Sequence, residues 1–293
     1  MNGADLLQVA DKHNFAIPAF NISDWAMSQG IFEIGEEKGA PLIIAIHPDE
    51  LRHVGVDFMP GLIQRAHRST VPVAIHFDHG ASFDQMLLAI QTGFTSVMLD
   101  GSMLPFEQNV ALTKQAVDAA HAVGLSVEGE LGTIGKTDSE AEEGTASIIY
   151  TDPDDAVRFV EQTGVDSLAI AIGTSHGIYP SWMKPELKLD LLQQIKAKVA
   201  VPLVLHGGSN NPDREIGQAV KLGINKINIS SDIKVAYHQK MREVLRDEGL
   251  REPNSIQPAC VEAMKVTAAQ KIDLFDAAGK ADLYLSPRLL ATM

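Results

Sequence analysis

A single cysteine, Cys260, stands in 293 residues. No intrachain disulfide can form and a zinc site of clustered cysteines is excluded, so any bound metal must be held by imidazole and carboxylate groups. Basic residues are also scarce, with 24 Lys and Arg against 38 Asp and Glu and a formal net charge of -14. An acidic chain of this kind is a poor match to nucleic acid or an anionic membrane, which call for clustered cations. A phosphorylated small molecule remains within its reach, because a few backbone N–H groups and one or two cations suffice to hold it. No apolar run approaches the roughly 20 residues that cross a bilayer. The opening MNGADLLQVADKHNF lacks the basic segment and apolar core of a secretory signal. These absences predict a cytoplasmic protein whose partner is a small molecule, with no nucleic acid and no membrane.

What the chain does have is enough apolar material, 45% of its residues, for a full core. It is spread over short runs rich in β-branched residues: FAIPAF, PLIIAIH, VPVAIHFD, TSVMLD, LSVEGEL, SLAIAIG, PLVLH and INKINI. Their near-continuous apolar character fits parallel strands buried on both faces. Between them lie stretches of helical spacing such as FDQMLLAIQTG and DDAVRFVEQTG, several closed by a glycine that stops the helix. Strand then helix, eight times over, predicts an α/β fold, a (β/α)8 TIM barrel spanning residues 1–293 as one domain, with additional C-terminal helices beyond Val235. Those helices either finish the barrel or pack on a partner subunit. GTIGKTDSEAEEGTASI is too polar and too long for an ordinary connection and reads as a loop over the active site.

In such a barrel the residues closing each run gather on one face, where barrel enzymes keep their chemistry. Here they are Asn21, His47, Asp78 with His79, Asp100, Glu130, the segment from Gly173 to His176, His206 and Asn228. His79, His176 and His206 each close a different run and are placed to meet around one divalent ion, leaving a coordination position for substrate. Asp78 either exchanges a proton with the substrate or orients a liganding histidine. Asp100 and Glu130 either orient a ligand or hold the metal in an alternative position. HGGSN at 206–210 and NISSD at 228–232 follow the last two runs, where barrels commonly bind phosphate, with glycine backbone and the hydroxyls of Ser209, Ser230 and Ser231 as donors.

Taken together, FDHG, EGELGTIG, YTDPDDAVRFVEQTGVDSLAIAIGTSHGIY, PLVLHGGS and GINKINISSD resemble the class II, metal-dependent ketose-bisphosphate aldolases, the tagatose-bisphosphate branch more than the main fructose-bisphosphate branch. The resemblance implies Zn2+ on His79, His176 and His206, one per subunit, allows a monovalent cation, and implies a homodimer or homotetramer. It makes Asp78 the group that removes the C4 hydroxyl proton in cleavage. Dihydroxyacetone phosphate then falls to Gly177, Gly207, Gly208, Ser209, Asn228, Ser230 and Ser231, with Asn21 and Lys184 as further substrate- or phosphate-binding residues. Zinc on the C2 and C3 oxygens would stabilise an enediolate without a Schiff-base lysine. A loop carboxylate shuttles the C3 proton. Relatives carry a glutamate eight residues after the Glu of ELG; the count reaches Asp138 here, with Glu142 and Glu143 further along, and Asp138 and Glu143 are the candidates. Other departures are His47 where relatives often have Ser or Thr, and a lysine delayed to Lys184. Asn254 falls where bisphosphate-cleaving relatives carry an arginine, with Arg251 and Arg288 as substitutes. The rival expectations are a zinc hydrolase on the same barrel and a non-catalytic regulatory subunit. The first has no use for paired phosphate loops, and the second should have lost a ligand or Asp78.

Overall fold

Each of the eight apolar runs forms one barrel strand: β1 (Ile17–Asn21), β2 (Leu42–Ile46), β3 (Val73–Gly80), β4 (Ser96–Leu99), β5 (Ser126–Leu131), β6 (Ser167–Ile170), β7 (Leu203–Leu205) and β8 (Ile224–Ile229). In this computed structural model, which describes residues 1–137, 148–180, 182 and 185–284, the strands are all parallel and pair in chain order. β1 pairs with both β2 and β8 to close the ring. Every residue of β1, β2 and β8 is buried, as strands covered on both faces require.

The helices between them start and stop where local chemistry dictates. Asp24 caps Trp25–Lys38 by accepting from the Met27 N–H at 2.7 Å, and Asp152 caps Pro153–Thr163 by accepting from the Asp154 and Asp155 N–H groups. The first helix, Gly3–His13, closes the floor of the barrel. Its Gly3 N–H donates to Ser126 Oγ at 2.8 Å, and a Cβ there would lie 2.8 Å from the hydroxyls of both Ser126 and Ser96, so only glycine allows this approach. The C-terminal helix Pro253–Leu274 packs on Trp25–Lys38 and on Ser231–Val244, so the terminal helices finish the outside of this barrel. Among the described residues no helix is long and apolar enough to cross a membrane.

One run behaves differently from its reading as a strand that ends at a histidine. β6 stops at Ile170, and the chain continues through a loop to a two-residue strand, Ser175–His176, which pairs with Gly135–Lys136 outside the ring. The polar segment after β5 is therefore tied to the loop that carries His176. Its two ends are joined by Thr133 and Ile149, whose backbone groups exchange hydrogen bonds of 2.9 and 3.1 Å.

Candidate metal centre and phosphate pocket

Side chains alternate across a strand, so Asp78 and His79 should face opposite ways. They do not, because β3 shifts register against β4: Phe77 pairs with Val97, but Gly80 pairs with Leu99. Such an irregularity re-aims side chains at a strand end. His79 takes a φ of 50° there, a left-handed conformation that bulky residues rarely adopt and that costs on the order of 1–3 kcal/mol. Both side chains consequently reach the mouth of the barrel, where Asp78 meets Asn21 and Asn228, and His79 meets His206 and Asp100.

One ring nitrogen from each of His79, His176 and His206 lies within 4.8 Å of the others, and all three residues are buried. His79 Nε2 and His206 Nδ1 are only 2.8 Å apart. The remaining nitrogens fix the tautomers: His206 Nε2–H donates to Glu128 Oε1 at 2.7 Å, and His79 Nδ1–H donates to Asp100 Oδ2 at 3.0 Å. Each ring therefore turns a lone pair towards the other, and two lone pairs at that distance require a proton or a cation between them. The surroundings supply the same demand for positive charge. Burial alone would lower the His79 imidazole, but Asp78 and Asp100 outweigh it and hold it well above the usual histidine range. Glu130 is pushed well above the usual carboxylate range by burial and by Asp100, and its Oε2 has no hydrogen-bond partner. His79, Asp100 and Glu130 form a second cluster with ligand atoms within 4.8 Å of one another. The donor set fits a divalent metal ion of the zinc type.

Beneath this cluster lies a charged layer whose members sit inside the apolar runs and not at their ends. Glu128 of β5 takes the Lys226 Nζ of β8 on both oxygens, at 2.9 and 2.7 Å, in addition to His206. Side-chain exposure is 2% and 1% for this pair, so the two charges are fully removed from water. Burial would raise the Glu128 carboxyl, and Lys226 and His206 reverse that and hold it below the usual range. His76 of β3 sits in the same layer, its imidazole lowered to about 3 by burial and by Lys226, and its Nδ1 within 2.8 Å of Ser96 Oγ. It is therefore neutral and belongs to the barrel interior, whereas His79 three residues later belongs to the mouth.

Asp78 is completely buried. Asn21 Nδ2 donates to its Oδ2 at 2.8 Å and Asn228 Nδ2 reaches both oxygens at 3.1 and 3.2 Å. Burial opposes ionisation, but His79, His206 and Lys226 together keep the carboxyl well below its usual range. The carboxylate is thus held in one orientation by two amides whose own oxygens, Asn21 Oδ1 and Asn228 Oδ1, have no partner.

On the side of β6 to β8, a pocket is lined by His176, Gly177, Gly207, Ser209, Asn228, Ser230, Ser231 and Lys234. The N-terminus of Ser231–Val244 opens onto it, bringing the positive end of the helix dipole, and the Asp232 N–H donates to Ser209 Oγ at 3.2 Å. Gly207 has φ 62°, and a Cβ on Gly208 would stand 2.4 Å from Ile227 Cγ2, so the HGG turn can lie this close to β8 only without side chains. Gly208 stands behind the lining and donates to Asn228 O at 3.1 Å. Lys234, not anticipated from the sequence, supplies the pocket's cation and is held by Glu50 and by Ser230 Oγ at 2.9 Å. Its signal was the spacing of four from Ser230, which puts both on one helix face.

The remaining expected residues are distributed otherwise. Asn21 joins Asp78 and is not part of the pocket lining. Asp138, Glu142, Glu143, Lys184 and Arg288 lie outside the described residues. Asn254 lines an outer groove with Gln29 and Glu33, and Arg251 is an exposed residue paired with Glu252 at 3.3 Å.

An eight-stranded parallel barrel with three imidazoles and a Gly/Ser pocket at the carboxyl ends of its strands defines a metal-assisted enzyme of phosphorylated small molecules. The family model described as fructose-bisphosphate aldolase class-II matches residues 1–280. A fructose-bisphosphate aldolase from Geobacillus stearothermophilus is 38% identical over 284 residues, 94% of this chain and 97% of that protein. The crystal structure of the YdjI aldolase from Escherichia coli K12 aligns with a TM-score of 0.84 at 35% identity, covering 95% of this chain and 98% of the other. A fructose-bisphosphate aldolase from Campylobacter jejuni, 22% identical over 96% of each chain with a TM-score of 0.77, shares the fold. The chain belongs to the class II fructose-bisphosphate aldolase family. It is a class II aldolase, a carbon–carbon lyase.

Proposed function

We propose that the protein reversibly cleaves a ketose 1,6-bisphosphate of the fructose or tagatose type, or a related ketose 1-phosphate, to dihydroxyacetone phosphate and an aldehyde. The observation that carries this reading is the convergence of three buried imidazoles beside a Gly/Ser pocket with one cation. One Zn2+ per subunit is held by His79, His176 and His206, in a homodimer or homotetramer. When bound, it supplies a Lewis acid for the negative charge that the three-carbon half acquires as the C3–C4 bond breaks.

The chain's own groups do the rest. The pocket of Gly177, Gly207, Ser209, Ser230 and Ser231 takes the C1 phosphate, and Lys234 exchanges part of its contact with Glu50 for that phosphate. Asp78, already ionised and aimed by Asn21 and Asn228, takes the C4 hydroxyl proton in cleavage and returns it in condensation. A carboxylate of the loop after β5, Asp138 or Glu143, delivers a proton to C3 of the three-carbon product.

Neither Asn254, which faces an outer groove, nor Arg251, which pairs with Glu252, lines the pocket to grip a second phosphate. This supports a weakened preference for bisphosphates over ketose 1-phosphates. The test is a cleavage assay over fructose and tagatose 1,6-bisphosphates and their 1-phosphates, with and without EDTA. Cleavage of none of them, or cleavage indifferent to exhaustive metal removal, overturns the reading. A bisphosphate preference above about 10³-fold in kcat/KM, roughly 4 kcal/mol of transition-state binding, removes the argument from Asn254.

A further inference from the structure

His47 follows β2 directly and caps the helix Pro48–Val54. Its Nδ1 accepts from the Asp49 N–H at 3.2 Å, and its own backbone N–H donates to Glu50 Oε2 at 2.8 Å. Because Nδ1 is the acceptor, the ring hydrogen of the neutral imidazole is on Nε2. That donor is buried and has no acceptor. A buried donor left unsatisfied costs about 1–3 kcal/mol, so such an atom calls for a partner, ordered water or a ligand.

The strand register says which part of a ligand would do so. Asn21 pairs with Ala45, and Ile46 with Phe77, so the residue after Ile46 stands level with Asp78 on the neighbouring strand. The His47 ring lies 6.3 Å, centroid to centroid, from His79. The phosphate pocket is built from the loop after β6 and the ends of β7 and β8, and the helix that His47 caps reaches it only through Glu50, which holds Lys234. A ketose phosphate anchored there, with its C4 hydroxyl at Asp78, carries its remaining carbons towards β1 and β2. Close to Asp78 the unpartnered polar atoms are two amide oxygens, on Asn21 and Asn228. Two acceptors and the His47 donor complement a hydroxylated chain, whose oxygens both give and take hydrogen bonds.

Resting on the aldolase reading, we propose that His47 is a specificity-determining residue that donates from Nε2 to an oxygen of the aldehyde half of the substrate. With Nδ1 occupied by the cap it can only donate, unlike a serine or threonine hydroxyl in its place. It plays no part in handling the three-carbon half.

The two halves can be assayed separately. His47→Ser and His47→Asn retain a side chain that caps the helix well and remove the Nε2 donor. Solvent exchange of the C3 proton of dihydroxyacetone phosphate reports on the three-carbon half alone, and condensation with glyceraldehyde 3-phosphate reports on both. The expected result is exchange within about twofold of wild type, unchanged zinc content, and kcat/KM for the aldehyde lowered about tenfold, the scale of one lost hydrogen bond. Unchanged condensation in both variants overturns the proposal. So does a loss of exchange equal to the loss of condensation, which would place the effect on the metal site or the helix cap. Absence of exchange in the wild-type zinc enzyme is a different failure, since it overturns the aldolase site itself.

Discussion

Replacing Lys226 by methionine tests whether the charged layer under the three histidines sustains both the fold and the geometry of His206. Methionine fills much of the lysine volume, so the main change is electrostatic. Glu128 would be left 2% exposed with only the His206 N–H at 2.7 Å, after losing contacts of 2.9 and 2.7 Å to Nζ. Removing one partner of a buried ion pair typically costs about 3–5 kcal/mol. The sign with pH follows from the direction of the Glu128 shift. In the wild type its carboxyl lies below the ordinary glutamate value of 4.5, so it contributes stability that is present above that value and lost as the pH falls through the folded value. Without Lys226, burial dominates and the folded value rises above the ordinary one, so the destabilisation is larger at neutral pH and shrinks as the pH falls from the raised folded value towards 4.5 and below. Urea unfolding of the EDTA-treated protein at pH 7 and pH 4.5 measures it. Glu128→Gln combined with Lys226→Met should recover most of the loss, because the replacement amide is uncharged and its oxygen still accepts from His206. A single variant within about 1 kcal/mol of wild type, or a double variant no more stable than the single, would refute the reasoning.

His206→Ala should abolish near-stoichiometric zinc binding by elemental analysis while the barrel remains folded by circular dichroism; full retention of metal removes His206 from the site. Asp78→Asn should keep metal and fold and lower cleavage by roughly 10²–10⁴-fold, the usual scale for a positioned acid/base group, and an unchanged rate leaves Asp78 as an orienting acceptor only. Lys234→Met should raise KM for the ketose phosphate, and the inhibition constant of inorganic phosphate with it, by about 10–100-fold for a lost charge-assisted hydrogen bond; if phosphate inhibition does not change, Lys234 serves only as the partner of Glu50.

The eight strands were legible because a parallel barrel strand is buried on both faces and so appears as an uninterrupted apolar run. Residues that close such runs must lie at one end of the barrel, which is why Asn21, His79 and His206 were readable as neighbours despite their separation in sequence. His176 also follows an apolar run in the sequence, but it arrives by a loop and a two-residue strand that no run length marks. Asp78 and His79 are both expected at the mouth, but the means by which two successive residues face one cavity is not legible, since alternation forbids it and only the register shift and the left-handed His79 permit it. Glu128, Lys226 and His76 lay inside apolar runs and did carry a signal. A charged residue within a strand buried on both faces must have a partner there, and a glutamate in β5 with a lysine in β8 are opposite in sign.

The polar groups of the barrel separate into two tiers with different states of satisfaction. In the lower tier Glu128 accepts three hydrogen bonds and His76 meets Ser96 and Lys226, so these buried groups satisfy one another. A fully satisfied buried network holds its members in one arrangement, and here it dictates which nitrogen of His206 faces the cavity. In the upper tier the unpartnered atoms include Asn21 Oδ1, Asn228 Oδ1, Glu130 Oε2 and His47 Nε2. These are donors and acceptors for which a ligand or ordered water supplies the counterparts. The left-handed backbone of His79 adds strain at the same level. Such a mouth is costly to maintain empty and is supported by the rigid tier beneath it. Metal and phosphosugar that supply the missing partners should therefore stabilise the fold as well as complete the site, and they should do so from the cavity face of strands whose lower halves need nothing further.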